Sequence, residues 1–354
     1  MGHKIFLILI IIGLPLSIAG SLLGWPSLVM FAIYCLTIIA LASFMGRATE
    51  SLAIITGPRI GGLLNATFGN AVELIISIFS LKAGLIGIVL ASLTGSVIGN
   101  LLLVTGASFF VGGLKYKRQK FNVFDARHNA GLMTFGVLIA FIIPEVFGGE
   151  IEADKQMVLS AGISIILILL YIAALFFKLV THRGVYSRQD DGQAFGEEEE
   201  VPEWGKWTAI IVLALSTLAV AYVSEKLVHT FETVGEQLGW TELFIGVIIV
   251  AIVGNAAEHA SAIIFAVKNK LDISVEIAVG STLQVAMFVA PVLVLVSFLF
   301  EKQMPLVFTL PELVAMALSV LLMIVITNDG ESNWFEGLTL LAAYVLMGLG
   351  FYLI

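Results

Sequence analysis

Charged residues are scarce in this chain: Asp, Glu, Lys and Arg make up 12% of its 354 residues, about half of the roughly 25% usual in a soluble domain. Cutting the sequence at these residues leaves apolar runs of about 20 residues along most of its length, which is what an α-helix needs to cross a bilayer. The longest polar stretch, residues 182–206, is too short to bury a core of its own. A soluble enzyme, a nucleic-acid binder and an ectodomain receptor are thereby excluded. Cysteine is nearly absent as well. Cys35 alone allows neither an intrachain disulfide nor a thiolate metal centre, and five scattered histidines without an HExxH pattern give no zinc hydrolase site.

What is present is an all-α integral membrane protein. Apolar spans fall near residues 5–24, 27–46, 63–81, 84–113, 129–148, 157–180, 207–229, 243–267, 271–300, 306–327 and 335–354, which predicts about 11 transmembrane helices. The first span resembles a signal peptide, but Gly24-Trp25-Pro26 reads as an interfacial turn into a second span, so the helix is expected to be retained. The fourth and ninth spans are too long for a straight crossing and carry Gly95 and Gly280 near their centres, so a bend or interruption is expected there. All five tryptophans lie at span ends, where the ring prefers the boundary between lipid and water. Numbering the connections alternately puts 14 of the 18 Lys and Arg on the side of the N-terminus, the exceptions being Lys82, Lys155, Lys226 and Lys302. By the positive-inside rule the N-terminus is cytoplasmic and the C-terminus outside.

Two polar motifs repeat in register. Gly69-Asn70-Ala71-Val72-Glu73 recurs as Gly254-Asn255-Ala256-Ala257-Glu258, and Gly95-Ser96 as Gly280-Ser281, both at an offset of 185. Five crossings separate the two glutamates, and an odd number inverts one copy relative to the other, as in many secondary transporters with a site at the repeat interface. A glutamate inside a bilayer costs on the order of 3 kcal/mol by insertion scales, so such residues mark function. Each Asn precedes its Glu by three positions and shares its helix face. Two neighbouring carboxylates in a dry site cannot easily both stay ionised alone, so they hold either protons or a metal. With no thiolate, the metal is a hard divalent cation such as Ca²⁺, which takes six to eight oxygens from carboxylates, amides, carbonyls and water.

Gly95 and Gly280 let a backbone or an ion approach closely; Ser96 and Ser281 add hydroxyls, and Gln284 adds an amide one turn on. The same glycines and serines also suit tight helix packing in lipid. His259 points about 100° away from Glu258 around the helix, and serves as an orienting or proton-sensing group or as a packing residue. Glu50 and Glu225 line access routes or sit at the interface. The run Glu197, Glu198, Glu199 and Glu200 is a cytoplasmic acidic segment, either a solvated linker or an attractor of cations.

The segments Leu64 to Glu73, Gly254 to Ala260, Lys268-Asn269-Lys270 and Gly280-Ser281-Thr282-Leu283-Gln284 resemble the two α-repeats of the CAX family of Ca²⁺/H⁺ exchangers, within the Ca²⁺:cation antiporter superfamily. The resemblance covers nearly the whole chain. It implies one N-terminal helix (1–25) followed by two inverted five-helix repeats (26–181 and 207–354) joined by an acidic linker (182–206), with Glu73 and Glu258 as ion and proton carriers. Gly99, where the family often has Ser, is a departure.

The expected activity is proton-driven Ca²⁺ export across a prokaryotic plasma membrane. Ca²⁺ and H⁺ are the transported ions, no cofactor is expected, the bilayer is the partner, nucleic acid is not, and a homo-oligomer is compatible with the sequence. Na⁺- or K⁺-coupled exchange is the alternative within the class. A Ca²⁺ channel is the alternative outside it, although one inverted pair of carboxylates is not a ring around a pore.

Overall fold

The computed structural model describes residues 2–148, 151–181 and 201–354. The acidic run Glu197 to Glu200 lies outside the described residues.

The chain forms helices α1 (Gly2–Leu23), α2 (Ser27–Thr56), α3 (Pro58–Phe68), α4 (Ala71–Lys82) and α5 (Ile86–Lys115). After these come α6, which starts at Val123 and is apolar over Ala130–Gly148, then α7 (Ala153–Phe176), α8 (Lys206–Val228), α9 (Phe231–Leu238), α10 (Glu242–Val267), α11 (Leu271–Ser297), α12 (Leu310–Ile326) and α13 (Trp334–Leu353). Nine of these are long and apolar enough to cross a membrane alone. The consecutive pair α3 and α4, and the 17-residue apolar α12, bring the crossings among the described residues to the expected eleven. The reason is the sequence itself: in lipid every backbone N–H and C=O must be satisfied within the segment, and a helix does that for an apolar run.

The interruption is not where the two long spans suggested it. Both α5 and α11 are unbroken, each relaxed by a π turn, at Gly99–Val104 and Val285–Val289. These turns correspond at the same offset of 185. The break falls in the third crossing instead, which starts at Pro58 after a turn through Gly57 (φ +81°) and is interrupted at Gly69-Asn70, where Asn70 leaves helical geometry (φ −100°, ψ 20°). The matching motif in α10 runs on as helix, with a π turn at Ile245–Val250 just before it. The tenth span is also shorter than expected. Met304, Leu306 and Phe308 approach α12 as a buried non-helical segment, whose backbone is satisfied by Ser297 Oγ (2.9 Å to Met304 N) and Ser160 Oγ (2.9 Å to Leu306 N). Thr309 and Glu312 then start α12, the Glu312 carboxylate accepting from the Thr309 N–H (2.8 Å) and hydroxyl (2.7 Å).

Glycines set the closest helix contacts. At Gly106 and Gly337, α5 and α13 approach so tightly that a Cβ on Gly337 would run into the backbone of Phe109 and Phe110, the small-residue packing expected where lipid offers no hydrophobic drive for association. The α5–α6 connection pairs with the α12–α13 connection through a two-residue antiparallel ladder, Gln119 opposite Ser332 and Lys120 opposite Glu331. Gln119 also donates to Ala266 O (2.8 Å) and Asn269 Oδ1 (3.0 Å), which fastens the end of α10. Where the chain enters α8, Trp204 stacks on Phe44 of α2 at 5.8 Å, and Arg47 lies over both rings and pairs with Glu203 at 3.4 Å.

Candidate functional site

The break in the third crossing sets the site. It places Asn70 just before α4 and Glu73 in its first turn, where unpaired N–H groups and the helix dipole favour a negative side chain. Glu73 is fully buried. Asn255 and Glu258 face it from inside α10, with Asn255 buried and Glu258 only partly covered.

The two motifs cross glycine to glutamate. A Cβ built on Gly254 would lie 3.2 Å from Glu73 Cβ, and one built on Gly69 would lie 3.1 Å from Glu258 Oε1. The glycine of each copy therefore seats the glutamate of the other, Gly69 at the carboxylate of Glu258 and Gly254 at the stem of Glu73. Sequence reasoning assigned the close approach to Gly95 and Gly280 and missed this pair, although Gly four positions before Glu on the same helix face was a readable signal.

Hydrogen bonds link each copy's serine to the other copy's asparagine. Ser96 Oγ donates to Glu73 Oε1 at 2.5 Å, and Asn255 Nδ2 donates to Ser96 Oγ at 2.9 Å and to Ala251 O at 3.0 Å. In the second chain Ser281 Oγ donates to Asn70 Oδ1 at 3.2 Å, Asn70 Nδ2 donates to Gln284 Oε1 at 2.6 Å, and Ser281 is close enough to Glu258 to interact with its carboxylate. The structure thus brings together Asn70, Glu73, Ser96, Asn255, Glu258, Ser281 and Gln284. Three buried oxygens remain without a hydrogen-bond donor: Glu73 Oε2, Glu258 Oε2 and Asn255 Oδ1. Buried acceptors left bare are costly, and a cation or protons satisfy them. No cluster of three or more His, Cys, Asp or Glu occurs among the described residues, so a bound cation must complete its shell with amides, hydroxyls, carbonyls or water, a donor set that suits a hard ion.

The remaining residues separate. Gly95 is pressed against the carbonyl of Val247 in α10, whereas nothing lies within 4 Å of a Cβ built on Gly280. His259 is buried, its Nε2 unpartnered, and its ring borders the space beside Gly99. Glu225 pairs with Lys82 at 3.2 Å at the far end of α4, and Glu50 is exposed near the end of α2. Asn100, buried within the π turn of α5 with Nδ2 unpartnered, was not anticipated.

Residues 26–180 and 208–353 match the family described as sodium/calcium exchanger protein. This chain belongs to that family. It is 71% identical over 352 residues to the Ca²⁺/H⁺ antiporter ChaA of Bacillus subtilis (strain 168), covering 99% of this chain and 100% of that one. It is 45% identical to a Ca²⁺/H⁺ antiporter of Synechocystis sp., covering 99% and 97%. Among solved structures native YfkE superposes with a TM-score of 0.87 at 66% identity, covering 99% of this chain and 100% of that one. In this exchanger family member the crossed motifs bring two carboxylates together between α4 and α10.

Proposed function

We propose that the protein is a secondary active transporter that exchanges Ca²⁺ for H⁺ by alternating access and exports cytosolic Ca²⁺ on the proton gradient. The observation that carries the reading is the pair of carboxylates on crossing helices, each with one buried oxygen that no protein donor satisfies. Such a pair is poorly tolerated empty and ionised, and either one divalent cation or protons relieve it. The names of the relatives at 71% and 45% identity support Ca²⁺ and H⁺ as the ions. Glu73 and Glu258 are the carriers, Asn70, Asn255, Ser96, Ser281 and Gln284 the supporting polar groups, and no cofactor enters the cycle.

The bias of basic residues supports a cytoplasmic N-terminus and an outer C-terminus, and the bacterial relatives support a prokaryotic plasma membrane. In that orientation α3 spans the cytoplasmic half. Glu258, the less covered carboxylate, adjoins the end of α3 at Gly69, so this is the conformation that loads Ca²⁺ from the cytoplasm. Glu197 to Glu200, in the cytoplasmic linker, concentrate cations near that entrance.

The test is ⁴⁵Ca²⁺ uptake into inside-out vesicles with an imposed pH gradient and, separately, an imposed Na⁺ gradient. Uptake driven by the pH gradient alone is expected; uptake driven only by Na⁺ would replace the coupling ion.

A further inference from the structure

Ser77 follows Glu73 by four residues on α4, so the two side chains share a helix face. It is 1% exposed, and its hydroxyl has no hydrogen-bond partner. Glu73 next to it is 0% exposed, with Oε1 held by Ser96 and Oε2 unpartnered. A buried hydroxyl without a partner is costly, and alanine of nearly the same size would avoid the cost. The second copy has that alanine: Ala262, four residues after Glu258, is buried and apolar. The copies share Gly, Asn and Glu and diverge after the glutamate, at this position among others.

The difference follows the asymmetry of coverage. Glu258 is partly uncovered in this conformation and lies against the end of α3 at Gly69. Ser77 lies on the other side of Glu73, in the half that is closed here, toward the Lys82–Glu225 pair at the end of α4. When that half opens, α4 and α5 must shift relative to each other, and the short bond from Ser96 on α5 to Glu73 is among the contacts at stake. Ser77 is carried on the same helix as Glu73, one turn on, so a change of rotamer can bring its hydroxyl to the carboxylate when the bond from Ser96 is lost.

We infer that Ser77 is a positioning residue for the exchange: its hydroxyl is the alternative donor to the Glu73 carboxylate in the conformation open to the opposite side, replacing the donor from Ser96. The inference deepens the reading of the site as an alternating-access exchanger and rests on it. A residue held ready in this way contributes nothing to the conformation seen here. Its removal should therefore slow turnover without harming the fold or the loading of Ca²⁺.

The experiment compares wild type, Ser77→Ala, Ser77→Thr and Ser108→Ala in reconstituted vesicles, with thermal unfolding of each purified protein. Ser108 is the control, a buried hydroxyl equally without a partner on α5 and outside the site. Ser77→Ala should lower kcat about tenfold, the range expected when a hydrogen bond to a charged group is lost. It should leave KM for Ca²⁺ on the loading side within about twofold and Tm no lower than wild type, while Ser77→Thr restores kcat and Ser108→Ala leaves it unchanged. Wild-type kcat in Ser77→Ala, or a loss matched by a lowered Tm and not restored by Thr, would overturn the inference. Failure of the wild type to couple Ca²⁺ to protons would instead overturn the exchanger reading itself.

Discussion

Replacing Glu73 by Gln keeps the shape of the side chain and removes its charge. Three consequences follow from the geometry. The Ser96 hydroxyl, 2.5 Å from Oε1, loses a charge-assisted bond worth about 1.5–3 kcal/mol. A divalent ion loses one of two carboxylates. At an effective dielectric of about 20, a unit charge at about 4 Å contributes roughly 4 kcal/mol to another unit charge and twice that to a doubly charged ion. Rehydration and relaxation recover part of this, so a net loss of at least about 3 kcal/mol is expected, a Ca²⁺ affinity weakened more than about 100-fold. The fold should not suffer, because a fully buried carboxylate with one bare oxygen is itself a burden on stability. Titration calorimetry of Ca²⁺ binding, thermal unfolding and vesicle flux on the same Glu73→Gln protein check all three. Retained pH-coupled Ca²⁺ transport in a variant that no longer carries this charge would refute the reasoning.

Two glycines at matching positions should respond oppositely to alanine. Gly95→Ala drives a methyl into the Val247 carbonyl and should destabilise by about 1–3 kcal/mol or more, whereas Gly280→Ala meets open space and should leave Tm within a few degrees of wild type; unfolding in a fixed detergent distinguishes them. Gly69→Ala places a methyl 2.7 Å from the Asn65 carbonyl and 3.1 Å from Glu258 Oε1, so it should lower Tm and weaken Ca²⁺ binding together, and a variant with unaltered affinity would dismiss the seating role of this glycine. For topology, a cysteine in place of Glu198 should be labelled only from the cytoplasm and one in place of Ile354 only from outside, the reverse pattern overturning the orientation taken from the basic residues.

Much of this architecture was legible because the bilayer leaves a chain few options. An apolar run of about 20 residues must be a helix, and Asn and Glu repeated in register inside such runs are too costly to be incidental. The paired motifs led to the site, and most of the residues selected from them meet there. What the sequence did not reveal are features settled by packing between helices. Gly69-Asn70 and Gly254-Asn255 are the same dipeptide, yet the helix breaks at the first and continues through the second; local propensity cannot distinguish them. The span length of α5 suggested a break, but a π turn absorbs the strain at less cost to the hydrogen-bond ladder. The segment before α12 read as helix from its hydropathy, and it is non-helical because Ser297, seven residues before Met304, and Ser160, remote in sequence, supply acceptors for its N–H groups. The amphipathic helix α9, ended by Gly239 at φ +68°, was overlooked because it is too short and polar for a crossing.

Coupling needs no separate device when Ca²⁺ and protons compete for the same two carboxylates. If Glu73 and Glu258 are both carriers, Ca²⁺ must displace protons to bind, and its affinity must fall as the medium is acidified because the ligands have to be deprotonated. By linkage, bound Ca²⁺ must equally favour the ionised glutamates. Calorimetry of Ca²⁺ binding in buffers of different ionisation enthalpy measures the protons released. Proton release is expected in the wild type and should disappear in Glu73→Gln together with high-affinity binding. Tight Ca²⁺ binding with no proton release, over the pH range in which the protein transports, would contradict this competition.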